Sequence, residues 1–282
     1  MARLFVEELT VIDCALLDPA RGLLGQSWLV DLELEGELDV QGMVFDFGRV
    51  KPTVKAVIDD TVDHKLLVPA IAGALNLEQD REETRLRFRT AEGELFHRSP
   101  HDALCLLETE SVTRASVERH LAAAIKAAMP ENVSAVHLHL REEAIDGPWY
   151  RYVHGLRQHE GNCQRIAHGH RSRIQVWRDG ERSEADERWL AERWRDIYLG
   201  SRADLRGDVE RGGVSCHAFQ YRAPQGEFEL VIPRSRCDLL DTESTVECIA
   251  GHIAATLKQR HPAAGFRVRA YEGVRKGAIA EI

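Results

Sequence analysis

The chain repeats itself, and that repetition constrains its fold more than any other feature. Leu106-Leu-Glu-Thr-Glu-Ser111 followed by Val117-Glu118 recurs as Leu239-Leu-Asp-Thr-Glu-Ser244 followed by Val246-Glu247. The gap between the blocks is residues 112–116 in the first copy and Thr245 alone in the second. Each copy runs on as an amphipathic helix, meets a proline (Pro130, Pro262) and ends in an alternating stretch, Val136 to Glu142 and Phe266 to Glu272. Upstream, Trp28 to Glu35 and Arg173 to Trp177 also alternate, and helical spacing follows over 50–58 and 187–197. Period-two alternation marks a strand with one buried face, and a spacing of three to four marks a helix. Self-similarity over so long a stretch means one folding unit copied in tandem. The expectation is an α+β chain of two units, 1–145 and 146–282.

The copies differ in their chemistry. Between His154 and His170 lie Cys163 and His168-Gly-His170, leading into the second-half strand. Residues two apart on a strand share a face, so His168 and His170 can reach one point, with the small Gly169 between them. His154 from a neighbouring strand would complete three nitrogen ligands with a fourth position open, as in a catalytic rather than a structural zinc site. A cation close to Cys163 would favour the reactive thiolate. Alignment on the strands puts Asp13 where His154 stands, Pro19 for Cys163, and Leu24 and Gln26 for His168 and His170. That set cannot hold zinc, so the first unit is read as having lost the metal. It has instead Asp63-His64, a pair in which the carboxylate can fix the imidazole's tautomer for general acid–base work. Each half keeps what the other dropped.

Composition narrows the classes of function. The net charge of −9 has no basic clustering, which argues against a nucleic-acid partner. Six scattered cysteines without a C-x-x-C pair suit a reducing compartment. The early acidic residues do not read as a signal peptide, and no apolar run is long enough to span a membrane. A cytoplasmic protein without a membrane partner is expected.

These motifs together resemble the 6-pyruvoyltetrahydropterin synthase and 6-carboxytetrahydropterin synthase family of the tunnelling fold. The matching residues are His154, Cys163, His168-Gly-His170, Gly42-Met-Val-Phe-Asp-Phe47, Asp63-His64-Lys-Leu-Leu67, Glu118 or Glu247, and Glu272. The spacing from Cys163 to His168 departs from the family's usual values. The resemblance implies two tandem tunnelling-fold units, each an antiparallel four-stranded sheet with two helices on one face, assembling into a barrel. It also implies a homo-oligomer, as three tandem chains in place of six single ones, with active sites between units.

The implied substrate is 7,8-dihydroneopterin triphosphate. Zn2+ on His154, His168 and His170 would polarise the side-chain hydroxyls, and Cys163 would abstract a proton while Asp63-His64 relays protons. Glu272, or else Glu142, would bind the pterin's N–H groups. Arg165, Arg171 and Lys65 are candidates for the triphosphate. Loss of triphosphate gives a 6-pyruvoyl product; loss of acetaldehyde gives a 6-carboxy one. Two other readings stay open: a catalytically silent zinc-containing pterin-binding or assembly protein, and a different zinc hydrolase.

Overall fold

Alternation and length together make the first two elements a long hairpin. In the computed structural model, which describes residues 1–282, β1 (Ala2–Asp18) and β2 (Gly22–Gly36) pair antiparallel, with a register shift between Val6 and Thr10. Helix α1 (Phe47–Thr61) begins where the Asp46 carboxylate accepts the Gly48 N–H, satisfying a donor that no helical carbonyl can reach. Five strands follow: β3 (Leu66–Pro69), then β4 (Leu75–Gln79), β5 (Glu83–Thr90) and β6 (Gly93–Pro100) as a meander, and β7 (Leu104–Leu107). Helix α2 (Arg114–Ala127) opens on a capping box between Thr113 and Ser116, and β8 (Val133–Arg141) completes the first half.

The order then recurs. It runs β9 (Trp149–His154), β10 (His168–Arg178), β11 (Glu181–Arg182), α3 (Glu184–Arg193), β12 (Ile197–Ser201), β13 (Leu205–Arg211), β14 (Val214–Ala223), β15 (Gly226–Pro233), β16 (Cys237–Leu240), α4 (Val246–Arg260), β17 (Phe266–Tyr271) and β18 (Gly277–Glu281). One sheet has the order β7-β3-β1-β2-β8. A second runs β16-β12-β9-β10-β17-β18, with β11 beside β10. The chain is therefore a mixed α+β fold. Apolar residues of α1 and α2 (Val50, Val54, Ile58, Val117, Leu121, Ile125) pack on the first sheet, and those of α4 (Ile249, Ile253, Leu257) on the second.

Three expectations are corrected. The sheets are not four-stranded and antiparallel: β3 pairs parallel with β1 and β7, and β12 parallel with β9 and β16. These added strands are four or five residues long, and β3 and β12 are buried throughout, so they show no alternation to read. The helix expected over 187–197 stops at Arg193, because Asp196 turns the chain at φ +56° and sends Ile197 into β12. The halves also share a third sheet, β13-β14-β15-β6-β5-β4, joined where β15 pairs with β6. Its Phe88, Phe219, Phe228 and Leu230 pack with Leu17, Leu23, Val153 and Ile166.

The first two sheets meet backbone to backbone. A β-carbon on Gly25 would lie 2.0 Å from the Tyr152 carbonyl oxygen and 2.7 Å from the His170 nitrogen. One on Gly169 would lie 2.5 Å from that same oxygen and 2.8 Å from the Gly25 α-carbon. Only glycine at both positions allows this approach. No helix is long and apolar enough to cross a membrane.

Candidate metal and acid–base site

The strand pairing sets the histidines. His154, the last residue of β9, lies directly opposite His168, the first of β10, and His170 lies opposite Tyr152. The three side chains are buried, and their ligand nitrogens all lie within 4.8 Å of one another. Two of the rings are held from behind. Nδ1 of His154 is 2.9 Å from the Ser244 carbonyl oxygen, and Nδ1 of His168 is 3.0 Å from that of Arg165. With Nδ1 donating to those carbonyls, each ring turns an Nε2 lone pair inward. Nδ1 of His170 lies 3.1 Å from a carboxylate oxygen of Asp13, out of line for a good hydrogen bond.

This arrangement fits a metal. The Nε2 atoms of His154 and His170 face each other at 3.2 Å, and Nε2 of His168 is buried with no partner. Inward lone pairs so close repel unless a proton or cation lies between them. Burial pushes the pKa of His154 and of His168 well below the usual imidazole value, and neighbouring histidines add to this. Both are therefore neutral, as ligation requires. Rear hydrogen bonds from imidazole to carbonyl are the usual support for metal-binding histidines.

The Asp63-His64 pair reaches the same place from the first half. His64 sits at φ +55°, in the left-handed region, where the chain leaves α1 for β3. Its backbone N–H donates to the Asp13 carbonyl at 2.7 Å, and the Asp13 N–H donates to the Asp63 carboxylate at 2.8 Å. The other Asp63 oxygen lies 2.7 Å from Nδ1 of His64. Donor atoms of His64, Cys163 and His168 all lie within 4.8 Å, and the His64 and His168 rings are 5.3 Å apart. Burial alone would lower the His64 pKa, but hydrogen bonds to Asp63 and Cys163 outweigh it and raise it to about 10. Imidazolium is the stable form of His64 next to this thiol. The two groups meet within one chain.

Cys163 lies on a short 3-10 turn, Asn162–Gln164, that is held on every side. The Leu156 N–H donates to the Cys163 carbonyl at 2.8 Å. The Tyr221 hydroxyl donates to the Gln164 carbonyl at 2.7 Å, and the Gln225 N–H donates to the Gln164 side chain at 2.7 Å.

The remaining predicted residues divide. Glu272 has one carboxylate oxygen 4.0 Å from Nε2 of His170 and the other 3.8 Å from Lys276 Nζ, which also approaches Asp13 at 3.5 Å. Glu142 is committed elsewhere: it accepts from Gln26 and Arg151, each at 2.9 Å, and lies 3.3 Å from Arg171 Nε. Burial raises its pKa, but Gln26 and the two guanidiniums outweigh that and hold it below the usual carboxylate value. Arg171 is buried beside Glu142, donates to the Glu143 carbonyl and has its guanidinium over Trp149. Arg165 donates to Gln225 and to the His64 carbonyl. Lys65 follows His64 in the chain but is largely buried, and burial and Arg165 lower its pKa. Glu118 accepts the Leu140 N–H and so ties α2 to β8.

Asp13 is a further correction. The register puts Leu16 opposite Leu24, as His154 stands opposite His168, so Leu16 is the first-half counterpart of His154. Asp13 instead crosses to the second-half site. Burial pushes its carboxyl up, but His170, Lys276 and Ser27 together hold it well below the ordinary range. Nothing local in the sequence marks Asp13, Ser244 or Gln225 as site residues, because each acts across a sheet or loop contact. A cavity of about 860 Å³ lies over Trp149, Arg151 and Arg195, and none of the predicted catalytic or metal residues lines it.

The family model described as 6-pyruvoyl tetrahydropterin synthase matches residues 15–152. Among solved structures, the chain is similar to the 6-pyruvoyl tetrahydropterin synthase of Plasmodium falciparum, at 19% identity over 49% of this chain and 90% of that one, with a TM-score of 0.40. It is similar to the Plasmodium vivax protein at 19% identity over 50% and 97%, with a TM-score of 0.38. No curated protein matches the chain.

Proposed function

We propose, from the match of residues 15–152 to the 6-pyruvoyl tetrahydropterin synthase family model, that the chain is a zinc-dependent tetrahydropterin synthase acting on 7,8-dihydroneopterin triphosphate. The matched span holds Asp63-His64 and stops short of the histidine trio. The observation that carries the reading is the meeting of His64 with Cys163 and His168, whose donor atoms lie within 4.8 Å of one another although about a third of the chain separates His64 from the other two in sequence.

His154, His168 and His170 would hold a zinc ion, which would supply Lewis acidity toward a substrate hydroxyl. Cys163, as thiolate beside the His64 imidazolium, takes a proton from the substrate side chain. His64, its ring fixed by Asp63, returns a proton from beside the thiol. Glu272 accepts hydrogen bonds from the pterin's amino and ring N–H groups. Asp13 holds the His170 ring in place across the sheet interface. The halves 1–145 and 146–282 act as tandem tunnelling-fold units, giving one complete site per chain, and chains associate through these units into a barrel.

The test is to incubate the protein with zinc and 7,8-dihydroneopterin triphosphate and identify the product by mass. A 6-pyruvoyl or a 6-carboxy product supports the reading and decides between the two. Cys163→Ala and His64→Ala should each keep bound zinc and lose at least a hundredfold in turnover, a loss on the order expected for a general acid–base group. A folded, zinc-loaded protein that binds the pterin without converting it would leave the silent binding protein in its place.

A further inference from the structure

Around His168 two sets of donor atoms overlap. One is the nitrogen trio of His154, His168 and His170; the other is His64, Cys163 and His168, again with ligand atoms within 4.8 Å of one another. Both need Nε2 of His168, because Nδ1 is taken by the Arg165 carbonyl. That Nε2 is buried and has no partner. His64 is also presented as metal ligands are: Nδ1 lies 2.7 Å from the Asp63 carboxylate, so Nε2 is the nitrogen left for Cys163 and His168. In tetrahedral zinc sites with Zn–N of about 2.0 Å and Zn–S of about 2.3 Å, ligand atoms stand roughly 3.3–3.8 Å apart, so small side-chain rotations would close this set on an ion.

We propose that a divalent cation has two overlapping seats here, an all-nitrogen seat and a nitrogen–sulfur seat formed by His64, Cys163 and His168. They exclude one another, because a single imidazole nitrogen offers a single lone pair. A thiolate ligand shifts preference toward softer cations, so Cd2+ favours the second seat more than Zn2+ does. On coordination the His64 imidazolium releases its Nε2 proton to solvent, and that nitrogen and the Cys163 thiolate each turn a lone pair to the metal. Both proton carriers of the proposed reaction are then withdrawn, and the second seat is a resting, inhibited form. That consequence rests on the functional reading above; the seat itself does not.

The experiment follows cobalt bound to the full chain by absorption. His154→Ala/His170→Ala removes two of the trio and leaves the second seat intact. This variant should bind one Co2+ with a sulfur-to-cobalt charge-transfer band. Adding Cys163→Ser should abolish the band, and adding His64→Ala should weaken binding at least tenfold. A folded double variant that binds no cobalt, or binds it without the band, overturns the proposal. Should the double variant not fold, cadmium titration of the unaltered chain replaces it. A thiolate–cadmium band is expected there, with at least tenfold weaker cadmium binding in His64→Ala. Unchanged cadmium affinity in His64→Ala would make Cys163 merely a fourth ligand of the trio and sink the proposal. Pterin turnover is not among the readouts, so loss of the functional reading would leave this test intact.

Discussion

Replacing Gly25 with alanine should damage stability and site together. The added β-carbon would sit 2.0 Å from the Tyr152 oxygen, against the 3.4 Å at which ordinary van der Waals contact begins. The sheets would have to part by about 1.4 Å locally, and both obstructing groups are backbone, which cannot swing aside. Overpacking of a tight core costs roughly 1–3 kcal/mol and occasionally more, and a backbone clash belongs at the upper end, near 3 kcal/mol. At roughly 2–4 °C per kcal/mol for a chain of about this size, the midpoint of thermal unfolding should fall by about 6–12 °C. The second obstructing atom is the His170 nitrogen, 2.7 Å away, so the same displacement moves a ligand of the trio. Misplacement of about 1 Å in a catalytic constellation can cost on the order of a hundredfold. The assay is thermal denaturation followed by circular dichroism, with zinc affinity measured by chelator competition. Gly73→Ala is the control, since its β-carbon would meet nothing within 4 Å and should change stability by less than about 0.5 kcal/mol. If Gly25→Ala melted within about 2 °C of the parent and bound zinc equally well, the backbone-to-backbone contact would not be as described.

Further predictions rest on other parts of the molecule. Gly251 lies inside α4 with nothing within 4 Å of its β-carbon position, so Gly251→Ala should raise stability by about 0.5–1 kcal/mol in chemical denaturation. His97 is buried between strands, and burial lowers its pKa from 6.5 to about 3. The unfolded chain therefore takes up this proton first, and the stability associated with neutral His97, full above pH 6.5, drains away as pH falls toward 3. The loss reaches a few kcal/mol at most, at about 1.4 kcal/mol per unit. His97→Phe should flatten that acid slope in urea titrations, and an unchanged slope would remove His97 as its source. Asp13→Asn should weaken zinc binding roughly 10–100-fold while leaving the melting temperature little changed, because its carboxylate orients His170 without ligating.

Much of the fold could be read from short-range pattern. The strands around Trp28 and Ile174, the helices α2 and α4 and the terminal strands β8 and β17 all lie where spacing put them, since a buried face leaves its period in the sequence. β3 and β12 were missed because a strand buried on both sides has no polar face to alternate with. The third sheet was missed for a different reason. Its central pairing joins Leu230 to His97, and neither strand carries any mark of its partner.

The site divides along the same line. Composition and spacing alone determined which groups it holds: three imidazoles, one thiol and an Asp-His pair, two of the imidazoles on one strand face because a strand repeats every second residue. Only tertiary structure decided that the front and back of the chain meet. Gly25 and Gly169 bring the sheets into backbone contact, Asp13 crosses to His170, and Glu142 is drawn away to Arg151 and Arg171. Local sequence sets which way a side chain points. What it points at depends on chain that arrives from other elements, for Asp13 and His170 from more than a hundred residues away, and no local energy term records that approach.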